Sequence, residues 1–294
     1  AASDVYKRQE YTSGIVYYPT NSEGPLPIIV MVPGFVSLIS SIEDWGPYLA
    51  SHGVVTMFVN VNSIFDDPYE RADALLDGLI SIKLENERIG SPLIDKLNIT
   101  DVAVGGWSMG GGGAQLAAQQ ESSIKTVVAL SAWLQNSNDS YSNNTPIIFL
   151  SGQFDNVASN NFHTNVFYNN TPNNIDKLLY EIALGNHNTV CSPYNDEEMG
   201  LKTLYMIEKY IVDDTTYCES LIESPPNASD FSTNIECLSE LSGDLNEDFL
   251  FNIQDIVLLV DIILNSEFAE AGDLDYNGVV NILDVIQLID LIID

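Results

Sequence analysis

The chain has few basic residues, few cysteines and no long apolar run. Its 294 residues include 10 Lys and Arg against 42 Asp and Glu, giving a formal net charge of −32 at pH 7. This balance argues against nucleic acid as a partner, because neutralising phosphates requires Lys and Arg. The longest apolar segments, such as IIVMV at 28–32, are too short to span a bilayer, so no membrane span is expected.

Cysteine usage and the N-terminal residues bear on the compartment. Cys218 and Cys237 flank a Pro/Asn/Ser-rich segment, and a bridge between them fits an oxidising environment. The alternative is that these two and Cys191 are three buried free thiols. The start, AASDVYKRQEYTSG, is polar and has no apolar run typical of a signal peptide. We favour the bridge and expect a secreted protein whose signal was removed or omitted.

Apolar runs alternate with helical patterns up to about residue 211. Continuous apolar strands alternating with helices predict an α/β fold with a mostly parallel sheet covered by helices. We divide the chain into a tail at 1–11, an α/β domain at 12–238 and a small C-terminal domain at 239–294. The predicted strands are 14–19, 27–34, 54–61, 101–108, 126–133, 146–152 and 177–185, the predicted helices are 45–53, 69–88, 111–120 and 197–212, and Asn-rich loops occupy 135–145 and 160–174.

The C-terminal segment contains an internal repeat. GDLNEDFLFNIQDIVLLVDIIL at 243–264 recurs as GDLDYNGVVNILDVIQLIDLII at 272–293. Residues 238–294 hold 13 acidic residues and no Lys or Arg. The change in charge and the repeat together indicate a domain boundary near residue 238.

The segment GGWSMG places Ser108 in a G-x-S-x-G pattern between an apolar strand and a small-residue helix. That context predicts a nucleophile elbow, in which glycines two positions either side of the serine make room for a strained turn. A flexible glycine-rich loop is the alternative. A phosphate cradle is a weaker alternative, because the Walker lysine is missing.

A serine hydroxyl is a poor nucleophile unless a base lies beside it. In folds with a nucleophile elbow the catalytic groups follow the chain order Ser, then Asp or Glu, then His. His187 lies in ALGNHNTV, directly after a predicted strand. His163 lies in a probable helix, and His52 precedes the serine. We therefore predict that His187 is the base.

The remaining catalytic groups are predicted from loop positions. Asp155 follows a strand and would orient the imidazole, whereas Asp176 precedes a strand and is the poorer candidate. Preorganised N–H groups must hold the oxyanion. We assign these to Met109, which follows the nucleophile, and to Phe35, which follows an earlier strand.

The motifs GWSMGGGG, LSAW, GQFDNVAS and LGNHNTVC resemble those of cutinase-like polyester hydrolases, including bacterial enzymes that attack poly(ethylene terephthalate). The resemblance covers roughly residues 12–237. It implies an α/β-hydrolase fold and ester hydrolysis without a cofactor. The second disulfide of some family members is missing, because Gly152 stands where its acid-loop cysteine would be.

The resemblance also implies a substrate-binding set. Phe35 and Trp133 could clamp one flat acyl unit between them, although both could equally be core or rim aromatics. The substrate-binding residues implied are Phe35, Trp107, Trp133 and Val157.

The two C-terminal repeats fit calcium loops, since Ca²⁺ takes oxygen ligands at positions 1, 3, 5, 7, 9 and 12. The alternative is a solvated acidic tail. Position 6 holds Phe249 in the first loop, where glycine is usual. The ligand sets are Asp244, Asn246, Asp248, the Leu250 carbonyl, Asn252 and Asp255, and then Asp273, Asp275, Asn277, the Val279 carbonyl, Asn281 and Asp284.

This segment resembles a type I dockerin, a small all-α domain with two Ca²⁺ sites. Ile253–Gln254 and Ile282–Leu283 replace the Ser/Thr pairs frequent at positions 10 and 11. This replacement argues against a standard cohesin as the partner. The apolar stripes of the two helices could instead pack on each other, on the α/β domain or on another protein partner.

Three functional hypotheses follow. The leading one is a secreted serine esterase acting on polyester or cutin-type esters. A plant cell-wall acetyl or feruloyl esterase is the second, suggested by the dockerin-like tail. The third is a non-catalytic, calcium-dependent binding or anchoring protein, which an intact Ser, Asp and His set opposes.

Overall fold

The chain forms two compact units, at 1–236 and 237–294. The computed structural model describes residues 10–20, 22–136, 144–237, 243–246, 248, 250–275 and 277–293. Position 249, where the first repeat lacks glycine, lies outside these residues.

The first unit is built on an eight-stranded sheet with the order β1-β3-β2-β4-β5-β6-β7-β8. The edge strands are antiparallel to their neighbours: β1 pairs with β3, and β8 pairs with β7. The six inner strands, β2 to β7, are parallel to one another. The mostly parallel sheet expected from the sequence is confirmed. The strands are β1 (Tyr11–Tyr17), β2 (Ile28–Val32), β3 (Val55–Val61), β4 (Val102–Trp107), β5 (Ile124–Leu130), β6 (Ile147–Gly152), β7 (Lys177–Ile182) and β8 (Ala228–Thr233).

The inner strands are buried on both faces, which explains their continuous apolar sequences. Every residue of β2 and β6 is buried. In contrast, β8 (sequence ASDFST) has no buried residue, and it was not predicted because its sequence is polar. Pairing with β7 therefore decides its conformation, since polar edge strands carry little local signal.

Helices cover the sheet. The helices of this unit are α1 (Trp45–Ser51), α2 (Pro68–Glu85), α3 (Met109–Ala118), α4 (Thr164–Asn170), α5 (Glu197–Ile207) and α6 (Cys218–Ile222). The segment 160–174, predicted as a loop, contains α4, and His163 lies just before that helix rather than within it. The predicted helix at 197–212 continues beyond α5 as a π-helical turn, Glu208–Val212.

The longest helix, α2, has a well-defined start. The Asp67 side chain accepts hydrogen bonds from the Tyr69 and Glu70 N–H groups, and the Glu70 side chain accepts one from the Asp67 N–H. This capping box, with Pro68 at the first helical position, fixes where α2 leaves the loop after β3. Asp67 and Glu70 therefore also fix the shape of that loop.

The strand order reverses at β2, which lies between β3 and β4. In open α/β sheets such a switch point creates a crevice at the carboxyl ends of the strands. The loops after β2 and β4 therefore meet at one edge, where the loops after β5, β6 and β7 also emerge.

The second unit contains α7 (Ile253–Asn265) and α8 (Ile282–Ile293). Leu259 of α7 and Val285 and Leu288 of α8 form its buried core. Asn252 and Asp255 make a capping box at the start of α7. Among all described residues, no helix combines the length and apolar composition that crossing a bilayer requires.

Candidate active site

Ser108 lies in a strained turn between β4 and α3. Its φ of 56° and ψ of −121° are unusual for a residue with a side chain. The surrounding backbone holds it there. The Ser108 N–H donates to the Leu130 carbonyl at 2.8 Å, and the Ser108 carbonyl accepts from the Trp133 N–H at 2.9 Å. Both partners lie at or just beyond the end of β5, so the neighbouring strand stabilises the turn.

The glycines around Ser108 are required by close backbone contacts. A Cβ on Gly106 would lie 2.4 Å from the Gly110 carbonyl carbon, and a Cβ on Gly110 would lie 2.3 Å from the Val32 carbonyl oxygen. Neither position could hold a side chain without moving backbone. The G-x-S-x-G pattern therefore reflects packing of the turn against β2 as well as the turn itself.

His187 and Asp155 meet across the loops that follow β7 and β6. The Nδ1 of His187 lies 2.7 Å from Oδ2 of Asp155. The other carboxylate oxygen, Oδ1, accepts hydrogen bonds from the Val157 N–H at 2.9 Å and the Ala158 N–H at 2.8 Å. Asp155 is 6% exposed and His187 is 9% exposed.

These contacts keep the Asp155 carboxylate ionised. Burial alone would raise the pKa of Asp155, but the His187 hydrogen bond and charge and the two N–H donors lower the pKa below its ordinary value. Asp155 is therefore ionised at neutral pH and can only accept hydrogen bonds. It follows that Nδ1 of His187 carries the proton and that Nε2 is free to accept one.

Two indole groups hold the histidine loop. The Nε1 of Trp107 donates to the His187 carbonyl at 2.9 Å, and Trp45 Nε1 donates to the Val190 carbonyl at 3.0 Å. The Trp107 ring also lies against the His187 ring, with centroids 5.1 Å apart. Because Trp107 directly precedes Ser108, this contact places the imidazole beside the Ser108 turn.

The acid and histidine loops are joined without a second disulfide. The Phe154 N–H donates to the Gly185 carbonyl at 2.7 Å, and the Leu184 N–H donates to Oε1 of Gln153 at 3.0 Å. A Cβ on Gly152 would lie 2.4 Å from the Gly185 carbonyl carbon. The absence of a side chain at 152 thus permits direct backbone contact between the loops.

Cys191 is a free thiol, whereas Cys218 and Cys237 are disulfide-bonded, so the predicted bridge is present. Burial raises the pKa of Cys191 to about 12. A thiol with such a pKa is almost wholly protonated at neutral pH and is a poor nucleophile. Burial therefore keeps the Cys191 thiol weakly reactive.

The predicted oxyanion donors belong to the two residues Phe35 and Met109, which lie next to the Ser108 turn in the loop after β2 and at the start of α3. A Cβ on Gly34 would be 2.9 Å from the Ser108 Cβ, so the loop after β2 touches the serine directly. Within the described part of the chain, neither the Phe35 N–H nor the Met109 N–H donates to an acceptor. Met109 is the first residue of α3, where an unpaired N–H is expected. Both donors are thus available to a ligand.

The carboxyl edge of the sheet carries exposed apolar side chains. The strand that leads to Ser108 lies between the strands that lead to Phe35 and to Trp133, so these aromatics flank the serine. Trp133 in turn packs against the His163 ring at a centroid distance of 5.8 Å. The exposed apolar residues in the loops at this edge include Phe35, Val36, Leu38, Phe65, Phe154, Val157, Phe162 and Leu184.

Comparison with known proteins identifies the fold family. Residues 1–238 match the PETase family, described as PET hydrolase-like. The chain belongs to the PET hydrolase-like family. Residues 239–294 lie outside the matched range.

Three relatives of this PET hydrolase-like chain have names that describe ester hydrolysis. Lipase 1 from Moraxella sp. (strain TA144) is 32% identical over 209 residues, covering 70% of this chain and 63% of the lipase. Cutinase est2 from Thermobifida alba is 28% identical over 221 residues, covering 73% of this chain and 69% of the cutinase. Bis(hydroxyethyl) terephthalate hydrolase from Streptomyces coelicolor is 30% identical over 218 residues, covering 73% of this chain and 67% of the hydrolase. Residues 1–238 are accordingly a carboxylic ester hydrolase domain, in a chain that spans just under two thirds of the Moraxella lipase.

The second unit gathers carboxylates within its second repeat. One oxygen each of Asp273, Asp275 and Asp284 lies within 4.8 Å of the others. Asp273 is 5% exposed and Asp284 is 0% exposed. Gly278, at position 6 of the loop, has a φ of 82°, which a residue with a side chain would adopt only with strain.

The first repeat has the same framework. Oδ1 of Asp255 accepts a hydrogen bond from the Leu245 N–H at 2.9 Å, and Oδ1 of Asp284 accepts one from the Leu274 N–H at 3.0 Å. These buried carboxylates have no Lys or Arg in residues 238–294 to balance their charge. Clustered oxygen donors that carry negative charge fit a hard divalent cation.

Sequence reasoning missed Arg71, Trp45 and Phe65. Arg71 is fully buried on α2, four and eight residues before Leu75 and Leu79 of the apolar face. A cationic residue at helical spacing with an apolar face indicates a buried charge, and this pattern can be seen in the sequence. By contrast, Phe65 lies against Phe35 with ring centroids 5.8 Å apart, and Trp45 donates to the Val190 carbonyl. Both contacts join distant segments of the chain, so no local sequence pattern indicates them.

Proposed function

We propose that the protein is a secreted serine esterase that hydrolyses polyester or cutin-type carboxylic esters, including poly(ethylene terephthalate). The observation that carries the proposal is the His187–Asp155 hydrogen bond, held beside the strained Ser108 turn by Trp107. Secretion is supported by the disulfide, since such bonds persist in oxidising compartments.

In this mechanism Ser108 Oγ attacks the ester carbonyl carbon while Nε2 of His187 takes its proton. The Phe35 and Met109 N–H groups hold the oxyanion of the tetrahedral intermediate. His187 then gives the proton to the departing alkoxide, and the acyl group stays on Ser108. Water, deprotonated by His187, attacks the acyl-enzyme, and the bond to Ser108 breaks to release the acid as His187 returns the proton to Ser108 Oγ. Asp155 keeps the imidazole in the required tautomer and stabilises the imidazolium. No cofactor takes part.

The exposed apolar side chains at the carboxyl edge of the sheet suit a flat, apolar acyl group. We assign substrate contact to Phe35, Trp107, Trp133 and Val157. Phe35 is 46% exposed and Val157 is 60% exposed. Exposed apolar groups of this kind are typical of ligand-binding grooves, which supports contact with an apolar acyl group.

For the second unit we propose a dockerin-like domain with two Ca²⁺ sites. Ca²⁺ would draw oxygen ligands from the two predicted loops and neutralise their buried carboxylates. Near the start of each helix, Ile253 is 72% exposed and Ile282 is 63% exposed, so an apolar protein partner fits better than one that recognises Ser/Thr pairs.

The test measures soluble aromatic product released from an amorphous polyester film. Wild type should release product and Ser108→Ala should not, while a short-chain nitrophenyl ester reports intact catalysis. Trp133→Ala should lose film activity more than nitrophenyl esterase activity. Ile89→Ala, which truncates a side chain that is 92% exposed beyond the end of α2, is the matched control.

The alternatives predict other outcomes. Nitrophenyl ester turnover without film hydrolysis, together with acetate release from acetylated xylan, would replace the polyesterase proposal with a cell-wall esterase. Failure of a fluorophosphonate to label Ser108 would support a binding protein.

A further inference from the structure

Arg71 is a buried cation whose guanidinium reaches two loops at the carboxyl edge of the sheet. It is 0% exposed. Its Nη1 donates to the Pro33 carbonyl at 2.8 Å, its Nε donates to the Asp66 carbonyl at 3.1 Å and its Nη2 donates to the Ile64 carbonyl at 3.3 Å. Arg71 therefore connects the loop after β2 with the loop after β3.

These contacts are not those of a structural ion pair. Within the described residues no carboxylate lies at ion-pair distance from Arg71. Burial lowers the pKa of Arg71 to about 10, so the group is still charged at neutral pH. A buried charge is retained against its desolvation cost only when its hydrogen bonds are well placed. Here all three acceptors are backbone carbonyls of the two loops.

The Pro33 and Ile64 carbonyls flank the predicted oxyanion donor. The Pro33 carbonyl belongs to the peptide immediately before the one that carries the Phe35 N–H. On the other side, the Val36 N–H donates to the Ile64 carbonyl at 2.8 Å, the same oxygen that Arg71 Nη2 contacts. The peptide before the Phe35 N–H is thus held by the guanidinium directly, and the peptide after it is held through the Ile64 carbonyl that the guanidinium also contacts.

The backbone at this point is strained and needs such support. Val36 has a φ of 54°, which is unfavourable for a β-branched residue. Its side chain is 51% exposed, so packing of that side chain does little to hold the conformation. The hydrogen bond from the Val36 N–H to the Ile64 carbonyl is one contact that holds this backbone conformation.

Arg71 also lies against the helix that begins after the nucleophile. A Cβ on Gly113 of α3 would be 2.9 Å from the Arg71 Cβ. The residue that holds the Phe35 loop is therefore packed on the helix whose first residue, Met109, carries the other predicted donor.

We infer that Arg71 is a positioning residue that fixes the Phe35 N–H in the orientation required by the oxyanion. The inference rests on the proposed esterase function. The planar guanidinium supplies donors in a fixed arrangement, which a lysine ammonium cannot reproduce.

The experiment compares kcat and KM of wild type, Arg71→Lys and Arg71→Met on a nitrophenyl ester. Loss of one oxyanion donor lowers kcat by about 10²–10³-fold, so partial misplacement in Arg71→Met should lower kcat by roughly 10–100-fold. KM should change by less than about threefold, because ground-state contacts with the substrate are kept. Arg71→Lys should recover less than half of the lost activity on a logarithmic scale.

The matched control is Lys202→Met. Lys202 is also a buried cation, 1% exposed, and it donates to the Ser220 and Glu223 carbonyls beside α6. Its loss should lower the melting temperature without lowering kcat. The Arg71 and Lys202 variants are assayed well below their melting temperatures, and circular dichroism checks that each is folded. If Arg71→Met does not fold, Arg71→Lys carries the comparison.

Equal kcat in wild type and a folded Arg71 variant would overturn the inference and leave the esterase proposal intact. A loss of kcat in Lys202→Met as large as in Arg71→Met would also overturn it, since general destabilisation would explain both. If wild type is inactive, or if Ser108→Ala retains full activity, the proposed function fails and the inference fails with it.

Discussion

Replacing Asp155 by Asn tests whether Asp155 fixes the position of the imidazole proton on His187. Oδ1 of Asp155 accepts two backbone hydrogen bonds, from the Val157 and Ala158 N–H groups. Only the carbonyl oxygen of an asparagine can accept these bonds, so its NH₂ group must face His187. The NH₂ donates to Nδ1, and the imidazole proton is forced onto Nε2. His187 then cannot accept the Ser108 proton.

The expected effect is large in rate and small in binding. A serine hydrolase histidine held in the wrong tautomer loses about 10⁴-fold in kcat, or about 5.5 kcal/mol of transition-state stabilisation. KM on a nitrophenyl ester should change little, because Asp155 is buried beneath His187. Asp196→Asn is the control, since Asp196 is 8% exposed and accepts from Tyr180 Oη and the Met199 N–H away from the site.

A kcat for Asp155→Asn within tenfold of wild type would refute the reasoning, as would an equal loss in Asp196→Asn. A second readout is stability. Because the pKa of Asp155 is lowered in the folded state, its ionised form adds stability above the unfolded-state pKa of about 4, and this is lost as the pH falls through the folded-state pKa. The difference in melting temperature between wild type and Asp155→Asn should therefore shrink in acid.

Three further outcomes are expected. Removing Ca²⁺ with a chelator should lower the melting temperature of the second unit in the full chain but leave kcat unchanged, and Asp284→Asn should reproduce this by calorimetry; an unchanged transition would contradict the calcium proposal. Reducing the Cys218–Cys237 bond should lower the free energy of unfolding by about 3 kcal/mol, given a closed loop of some 20 residues, measured by denaturant titration. Native Cys191 should resist a thiol reagent at pH 8, because burial raises its pKa to about 12, and rapid labelling would show that the histidine loop opens.

Most of the α/β domain could be predicted from local sequence because its inner strands are buried on both faces. IIVMV at 28–32 forms β2 with every residue buried, which is the environment its composition requires. The edge strand β8 could not be predicted, because its residues are only partly buried and its conformation comes from pairing with β7. α4 was missed because its sequence, TNVFYNN, is rich in asparagine, a weak helix former.

The sequence by itself determined which residue types stand after which strands. Ser108, Asp155 and His187 could be named because each follows an apolar strand, and the carboxyl ends of parallel strands meet at one edge. Only the tertiary structure decided how these groups are held. Asp155 reaches Nδ1 of His187 across two loops, and Trp107 fixes the His187 carbonyl. Arg71 donates to the Pro33 carbonyl and to the Ile64 carbonyl that also accepts from the Val36 N–H. Such contacts join residues far apart in the chain. Their geometry depends on distances set by the packed sheet, and no local pattern encodes those distances.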